Sequence, residues 1–319
     1  MSDRPIFLLF DGHAVIYRAY YGLPPLTDAQ GRTVHAAYGF SRIVLSAINE
    51  FEPTYLAVTF DHPKPTFRHQ KYKEYKAHRP KMPDDLQPQI PMVKDITSAL
   101  NIPAFEIEGF EADDLIGTLS YWLDHQPEKL KVTEDILTVI VTGDKDMLQL
   151  VDDNTHVWIP GRGRQSDIEY DATTVKEKMG VTPSQIVDMK ALMGDASDNI
   201  PGIKGIGKKT AVKLLMEYGT LDQLLEEVEA IEREEKKPND LLKGSLLKKL
   251  MAGKDLAYLS KKLAKIDRDA PIEVDLNLCK VENYDKTKVV ELFKELDFTS
   301  LLSLLPSDKF ESEVQQALF

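Results

Sequence analysis

The residues with chemistry to offer in this chain are carboxylates, and they come in groups. Glu111, Asp113 and Asp114 stand together in Gly109-Phe-Glu-Ala-Asp-Asp-Leu115. Asp144 and Asp146 share Thr142-Gly-Asp-Lys-Asp, and Asp195 and Asp198 share Gly194-Asp-Ala-Ser-Asp-Asn199. Asp11 and Asp61 each close a short apolar run. Acids this dense repel one another and favour a cation in their midst. Oxygen donors with no matching cluster of His or Cys specify a hard divalent ion, Mg2+ or Mn2+, rather than zinc. One Mg2+ takes only one or two protein carboxylates, so this many acids point to two ions, the pairing of phosphoryl-transfer hydrolases.

To act together these acids must be carried to one place. Residues 5–10, 55–60 and 136–141 are apolar without alternation, the pattern of strands buried on both faces of a parallel sheet. Residues 157–159, and a short run at 103–107, read as further strands. Helical patterns from 14 onward and over 38–51, 93–100 and 114–123 fall between them, as in a doubly wound α/β sheet. Ligands in such sheets bind at the carboxyl ends of the strands, where Asp11, Asp61 and Asp144 stand. One aspartate after a strand is usually a cap or turn residue. Three on one sheet edge, beside an acidic helix mouth, are not explained that way.

Beyond about residue 170 the strands nearly cease. Thr182-Pro183 starts a helix carrying Ile186, Met189, Lys190 and Met193. Residues 210–218 read as another helix, 226–240 as a charged exposed segment, 241–263 as a Lys-rich helix and 289–305 as an amphipathic one. Between the first two helices lies Pro201-Gly-Ile-Lys-Gly-Ile-Gly-Lys-Lys-Thr210. Gly202, Gly205 and Gly207 open a turn whose N–H groups, with those of the next helix start, can hold one phosphate without reading bases. Lys204, Lys208 and Lys209 add charge. No strand precedes it and the Gly-Lys-[Ser/Thr] ending is missing, so it is not a Walker loop.

The formal charge of −12 argues against a polyanionic partner only if it is evenly spread. It is not. From 64 to 81, Lys64, Arg68, Lys71, Lys73, Lys76, Arg79 and Lys81 face only Glu74, with Tyr72 and Tyr75 between the lysines. Residues 63–91, rich in proline and poor in core pattern, read as a mobile excursion over the domain. A basic strip beside an acidic pocket suits a polyanion held by its phosphates and cut at bound metal. At 319 residues the chain can bury the cores of two modest domains. No apolar run is long enough for a membrane span, and 6–10 is too short for a signal peptide. Cys279 stands alone, which excludes a disulfide framework and a thiolate zinc site and suits an intracellular protein. Cys279 reads as a small apolar residue, and His13 is given no catalytic role.

Taken in order, Asp11-Gly-His, Phe60-Asp61, Tyr75-Lys-Ala-His-Arg79, the 109–115 motif, the 142–146 motif and Gly194 to Asn199 with its Gly-Ile-Lys-Gly-Ile-Gly sequel resemble the structure-specific 5′-nuclease (flap endonuclease) family. The likeness is greatest to the branch found at the N-terminus of bacterial DNA polymerase I. It covers nearly the whole chain, down to Leu292-Phe-Lys-Glu-Leu-Asp-Phe-Thr-Ser-Leu301. The resemblance implies a PIN-like, mostly parallel sheet flanked by helices over 1–175, with a basic helical arch at about 63–91. It implies a helical DNA-binding region over 176–319 built on a helix–three-turn–helix element. On that pattern Asp11, Asp61, Glu111 and Asp113, with Asp114 close behind, line one side of a two-metal site, and Asp144, Asp146, Asp195 and Asp198 the other. Lys76 and Arg79 would meet the scissile phosphate, and Tyr17 would stack on a base near the cut. Tyr75 and Arg68 would join the DNA contacts, and carbonyls from Gly202 to Gly207 would take K+.

The expected activity is 5′-3′ exonuclease and 5′-flap endonuclease on DNA or RNA-primer flaps, for primer removal and repair. The partners would be branched or 5′-flapped DNA and RNA–DNA primer ends in the bacterial cytoplasm, with no membrane. Polymerase and proofreading segments are not within the sequence, so the resemblance implies a stand-alone relative or a domain parted from them. Two rival readings remain. A haloacid-dehalogenase-type phosphatase needs a second acid two places after its nucleophilic aspartate, where this chain has His13. A non-catalytic DNA-binding module would leave the clustered carboxylates without a cation, which costs stability.

Overall fold

The computed structural model describes residues 4–163, 165–281 and 284–307. Strand β1 (Ile6–Asp11) runs directly into α1 (Gly12–Gly22), because Asp11 both ends the strand and caps the helix, its Oδ1 accepting from Ala14 N at 3.1 Å. Then come α2 (His35–Phe51), β2 (Tyr55–Thr59), a short α3 (Phe67–Lys71), α4 (Gln89–Ala99), β3 (Ala104–Phe105) and α5 (Ala112–His125). The second half of the sheet is β4 (Leu137–Val141), β5 (Thr155–Ile159) and β6 (Ile168–Tyr170). Six helices follow: α6 (Ala172–Met179), α7 (Ile186–Met193), α8 (Lys208–Tyr218), α9 (Leu221–Glu232), α10 (Gly244–Ala264) and α11 (Lys286–Glu295).

The strands lie in the order β3-β2-β1-β4-β5-β6, all parallel except β6. From β1 the order runs out one way through β2 and the other way through β4, so the sheet reverses at its centre, where open α/β sheets bind ligands. Alternate residues of the central strands feed different cores. Phe7, Leu9, Ala57 and Ile140 pack with α5 and the later helices α7 to α10. Leu8, Phe10, Leu56, Val58, Val139 and Val141 pack with α1, α2, α4 and α11 on the opposite face. That is why the runs are apolar at every position, each large side chain contributing roughly 1.5–3 kcal/mol on burial.

Four segments differ from the sequence expectation. The β6–α6 unit has no apolar run to announce it: β6 is three residues with Glu169 exposed. Residues 221–232 are not merely charged, since Leu221, Leu224, Leu225, Val228 and Ile231 form a buried stripe at helical spacing beneath the glutamates. The excursion at 63–91 is folded down rather than loose. Arg68, Tyr75 and Leu86 are buried in it, and Gln89 Oε1 accepts from Ala36 N at 2.8 Å at the start of α2. Its helical content before α4 is only the five residues of α3. The tail is two pieces, α11 and a 3-10 turn at Thr299–Leu304, parted at Asp297 where φ is +60°.

Candidate active site

The carboxyl ends of β1, β2 and β4 open on a cleft of about 310 Å³ lined by Asp11, Asp61, Asp113 and Asp144, with Tyr17, Lys76 and Arg79 on its walls. Thr142 ties two of the acids together. Its hydroxyl donates to Asp11 Oδ2 at 2.8 Å and accepts from Asp144 N at 2.9 Å. Asp144 in turn caps a 3-10 turn, Lys145–Leu150, by accepting from Asp146 N at 2.9 Å. Asp61 Oδ1 accepts from Ala112 N at 2.9 Å, docking the β2 end on the mouth of α5, while Asp61 N donates to His13 Nδ1. His13 is therefore a positioning contact.

At the mouth of α5 three neighbouring acids have three different fates. Glu111 is the N-cap; its Oε2 accepts from Arg68 Nη1 and Tyr75 Oη at 3.1 Å, and its Oε1 pairs with Lys76 Nζ at 2.7 Å. Asp114 is fully buried and holds Arg68 with both oxygens at 2.8 and 2.7 Å, while also accepting from Glu111 N and Asp267 N. Every in-plane acceptor position of Asp114 is used, so it is an anchor for the fold and not a cation ligand, against the sequence expectation. Asp113 faces the cleft, and among the described residues its carboxylate has no hydrogen bond or ion pair.

Arg68 also departs from expectation. It is 2% exposed, because its guanidinium fills the space between Asp114 and the carbonyls of Leu263 and Lys265, so it has no surface to offer DNA. Tyr75 is 3% exposed and its hydroxyl bridges Glu111 to Asp198 Oδ2 at 3.2 Å, so it braces two acids and has little ring surface open to a strand. Lys76 lies 3.9 Å from Asp198 Oδ2, and Arg79, half exposed, pairs with Asp198 Oδ1 at 2.6 Å. The backbone seconds this, Lys76 N donating to Asp198 O at 2.9 Å.

Asp146 and Asp195 are bridged by the Lys190 ammonium of α7. Lys190 is the functional-site residue that sequence reasoning passed over. Its signal was a lysine on the apolar face of a helix otherwise made of Ile186, Met189 and Leu192, a place a charge occupies only when paired. Burial and the charge of Asp61 push the Asp11 carboxyl up to about 7. Burial and Asp144 do the same to Asp146, against the pull of Lys190. Burial, then Asp11 and Asp144, raise Asp113 well above the carboxylate range. Asp195 goes the other way, to about 2, because Lys190 and the Ser197 hydrogen bonds outweigh its burial. Among the described residues no three of these carboxylates are closed around one point.

The Gly-rich turn joins α7 to α8. Gly202, at φ +59°, passes so close to Gly194 that a Cβ would lie 2.2 Å from the Gly194 nitrogen, which requires glycine there. Gly207 caps α8, and Lys204, Lys208 and Lys209 are exposed around it. Lys249 Nζ of α10 donates to the Gly205 carbonyl at 3.2 Å. Tyr17 is half-buried in α1, its ring stacked on Tyr21 with centroids 6.3 Å apart.

Two family models match successive parts of the chain. Residues 6–180 match the model of the 5′-3′ exonuclease N-terminal resolvase-like domain, and residues 181–287 match that of the 5′-3′ exonuclease C-terminal SAM fold. The chain is 41% identical to DNA polymerase I of Bacillus subtilis over 320 residues, covering 100% of this chain and 34% of the relative. It is 43% identical to that of Bacillus caldotenax, covering 96% and 33%. It thus spans about a third of the length of the curated relatives it matches. Among solved structures, a bacteriophage T5 D15 flap endonuclease pseudo-enzyme-product complex with DNA and metal ions matches with a TM-score of 0.61 at 20% identity, covering 98% of each chain. At that identity the likeness is one of fold.

Proposed function

The chain belongs to the 5′-3′ exonuclease family, and from that premise we propose that it hydrolyses phosphodiesters at 5′ ends and at 5′ flaps of branched DNA and RNA–DNA primers, with divalent metal in the cleft. The observation that carries this reading is the cleft itself: Asp11, Asp113 and Asp144 bring their carboxyls to one solvent-open place, and among the described residues Asp113 has no hydrogen bond or ion pair. Burial and the neighbouring acids Asp11 and Asp144 disfavour its charged form until a cation is present. The donor set is oxygen only, which fits Mg2+ or Mn2+. When bound, such ions supply an activated water and neutralise charge on the scissile phosphate.

The ligands we assign are Asp11, Asp61, Glu111, Asp113, Asp144, Asp146, Asp195 and Asp198, shared between two ions. Lys76, Arg79 and Lys190 hold ammonium or guanidinium charge among these same acids, and each can turn to a phosphate oxygen when the acids are otherwise neutralised. A cation so placed stabilises charge that develops on the phosphate in the transition state. Tyr17 offers a ring at the cleft wall on which a base near the cut can stack. The exposed N–H groups and lysines at the Gly-rich turn hold the duplex backbone and set register without reading sequence. The Lys249 ammonium on the Gly205 carbonyl supplies part of the positive charge that K+ would bring to that turn.

Primer removal and repair follow as the biological role, with polymerase segments covalently linked in proteins of the relatives' length. The site of action would be the cytoplasm; among the described residues no helix is long and apolar enough to cross a membrane. The test is cleavage of a 5′-flapped duplex in Mg2+, with product release near the junction. Asp144→Ala should abolish cutting yet keep flap binding. Equal cutting of flaps, hairpins and plain single strands would refute structure specificity, and undiminished activity in EDTA would refute the metal.

A further inference from the structure

A second cavity, of about 210 Å³, adjoins the cleft between α1, α2 and the loop from β5 to β6. Arg18, Arg42 and Arg162 line it, and Arg18 and Arg162 line the cleft as well, so the two spaces share a wall. Each of the other described arginines bonds to a carboxylate or a carbonyl oxygen. The three without such a partner are the three that meet here, and Arg18 Nε is buried with no hydrogen bond at all. The cavity's one acid, Asp167, is turned to the Gly161 N–H at 2.6 Å. Arg42 and Arg162 are exposed and Arg18 is half-buried, so in a chain of net charge −12 three guanidinium groups with open donors face one solvent-reached cavity. Guanidinium forks match phosphate oxygens in geometry as well as charge.

We propose that this cavity is a phosphate subsite that holds a phosphate of the bound strand outside the carboxylate cleft, either an internal phosphodiester or a terminal 5′-phosphate. The assignment rests on the nuclease reading for the identity of the strand, but not for the binding of phosphate itself. Arg42 is the informative position, because it is exposed on α2 and lines this cavity without lining the cleft.

Two measurements test it. In the first, inorganic phosphate raises the thermal midpoint of the wild-type chain and leaves that of Arg42→Ala unmoved. In the second, anisotropy of a flapped duplex in EDTA is followed across KCl concentration. Arg42→Ala should weaken binding about tenfold, as loss of one charge-assisted contact does. It should also flatten the log–log salt slope by about 0.7–0.9, while Arg42→Lys keeps the slope. A loss confined to 5′-phosphorylated flaps identifies the terminal phosphate; an equal loss on 5′-hydroxyl flaps identifies a phosphodiester. Unchanged affinity, slope and phosphate response in Arg42→Ala, while the wild type binds and cuts flaps, overturns the subsite and leaves the nuclease reading standing. If the wild type neither binds nor cuts flaps the nuclease reading falls, and the phosphate response alone decides the cavity.

Discussion

Replacing Arg68 with alanine tests whether the basic strip at 64–81 is a surface for DNA or, at this residue, a beam of the fold. Arg68 makes charge-assisted bonds to Asp114 at 2.7 and 2.8 Å and to Glu111 at 3.1 Å, and donates to the carbonyls of Leu263 at 3.1 Å and Lys265 at 2.8 Å. It therefore joins α3, the mouth of α5 and the end of α10. Its removal leaves Asp114, fully buried, with backbone N–H donors but no countercharge. Breaking a buried pair from one side costs roughly 3–5 kcal/mol, a large part of the ~5–15 kcal/mol that holds a typical domain. Urea unfolding should show a lower midpoint at unchanged slope. In a double-mutant cycle, Asp114→Ala should cost far less once Arg68 is gone, with a coupling of about 2 kcal/mol or more. A loss under ~1 kcal/mol with additive behaviour, together with weakened flap binding, would refute the structural assignment and return Arg68 to the DNA surface.

The raised carboxyls predict a pH dependence with a definite sign. With Asp11 and Asp146 at about 7 when folded and 3.8 ordinarily, the folded chain keeps protons that the unfolded chain has lost between about pH 4 and 7. Stability in EDTA should therefore fall as pH rises through that window, by at most roughly 4 kcal/mol from Asp11 alone at about 1.4 kcal/mol per factor of ten. Mg2+ should restore it above pH 7; urea midpoints that stay level from pH 5 to 8 in EDTA would contradict the burial argument. Lys76→Ala should slow cleavage of a saturating flap substrate by on the order of 10²-fold or more while changing its Kd little. If Kd rises and single-turnover cleavage does not slow, Lys76 only positions the strand.

Much of the architecture was written in local pattern. Apolar runs at 5–10, 55–60 and 136–141 have the pattern of strands covered on both faces, and an acid at or just past the end of such a run stands at the sheet's carboxyl edge. Burial pattern and chain order therefore sufficed to bring Asp11, Asp61 and Asp144 toward one cleft. The short β6 and the leucine stripe of α9 were not legible, the first for want of length and the second because glutamates mask it.

What local pattern could not settle is which acid does what. Asp113 and Asp114 are adjacent and chemically identical, but neighbours on a helix point about 100° apart. One turns to the open cleft, the other to Arg68 and the Lys265–Asp267 backbone, brought there from more than 150 residues away. Likewise Lys190 and the arginines at 18, 42 and 162 acquire meaning only where helices and a loop remote in sequence pack side by side. Residue type and strand-end position are local properties and were determined by the sequence alone. Whether a charge is paired, buried or left facing solvent depends on what the fold sets against it, and only the tertiary structure decided that.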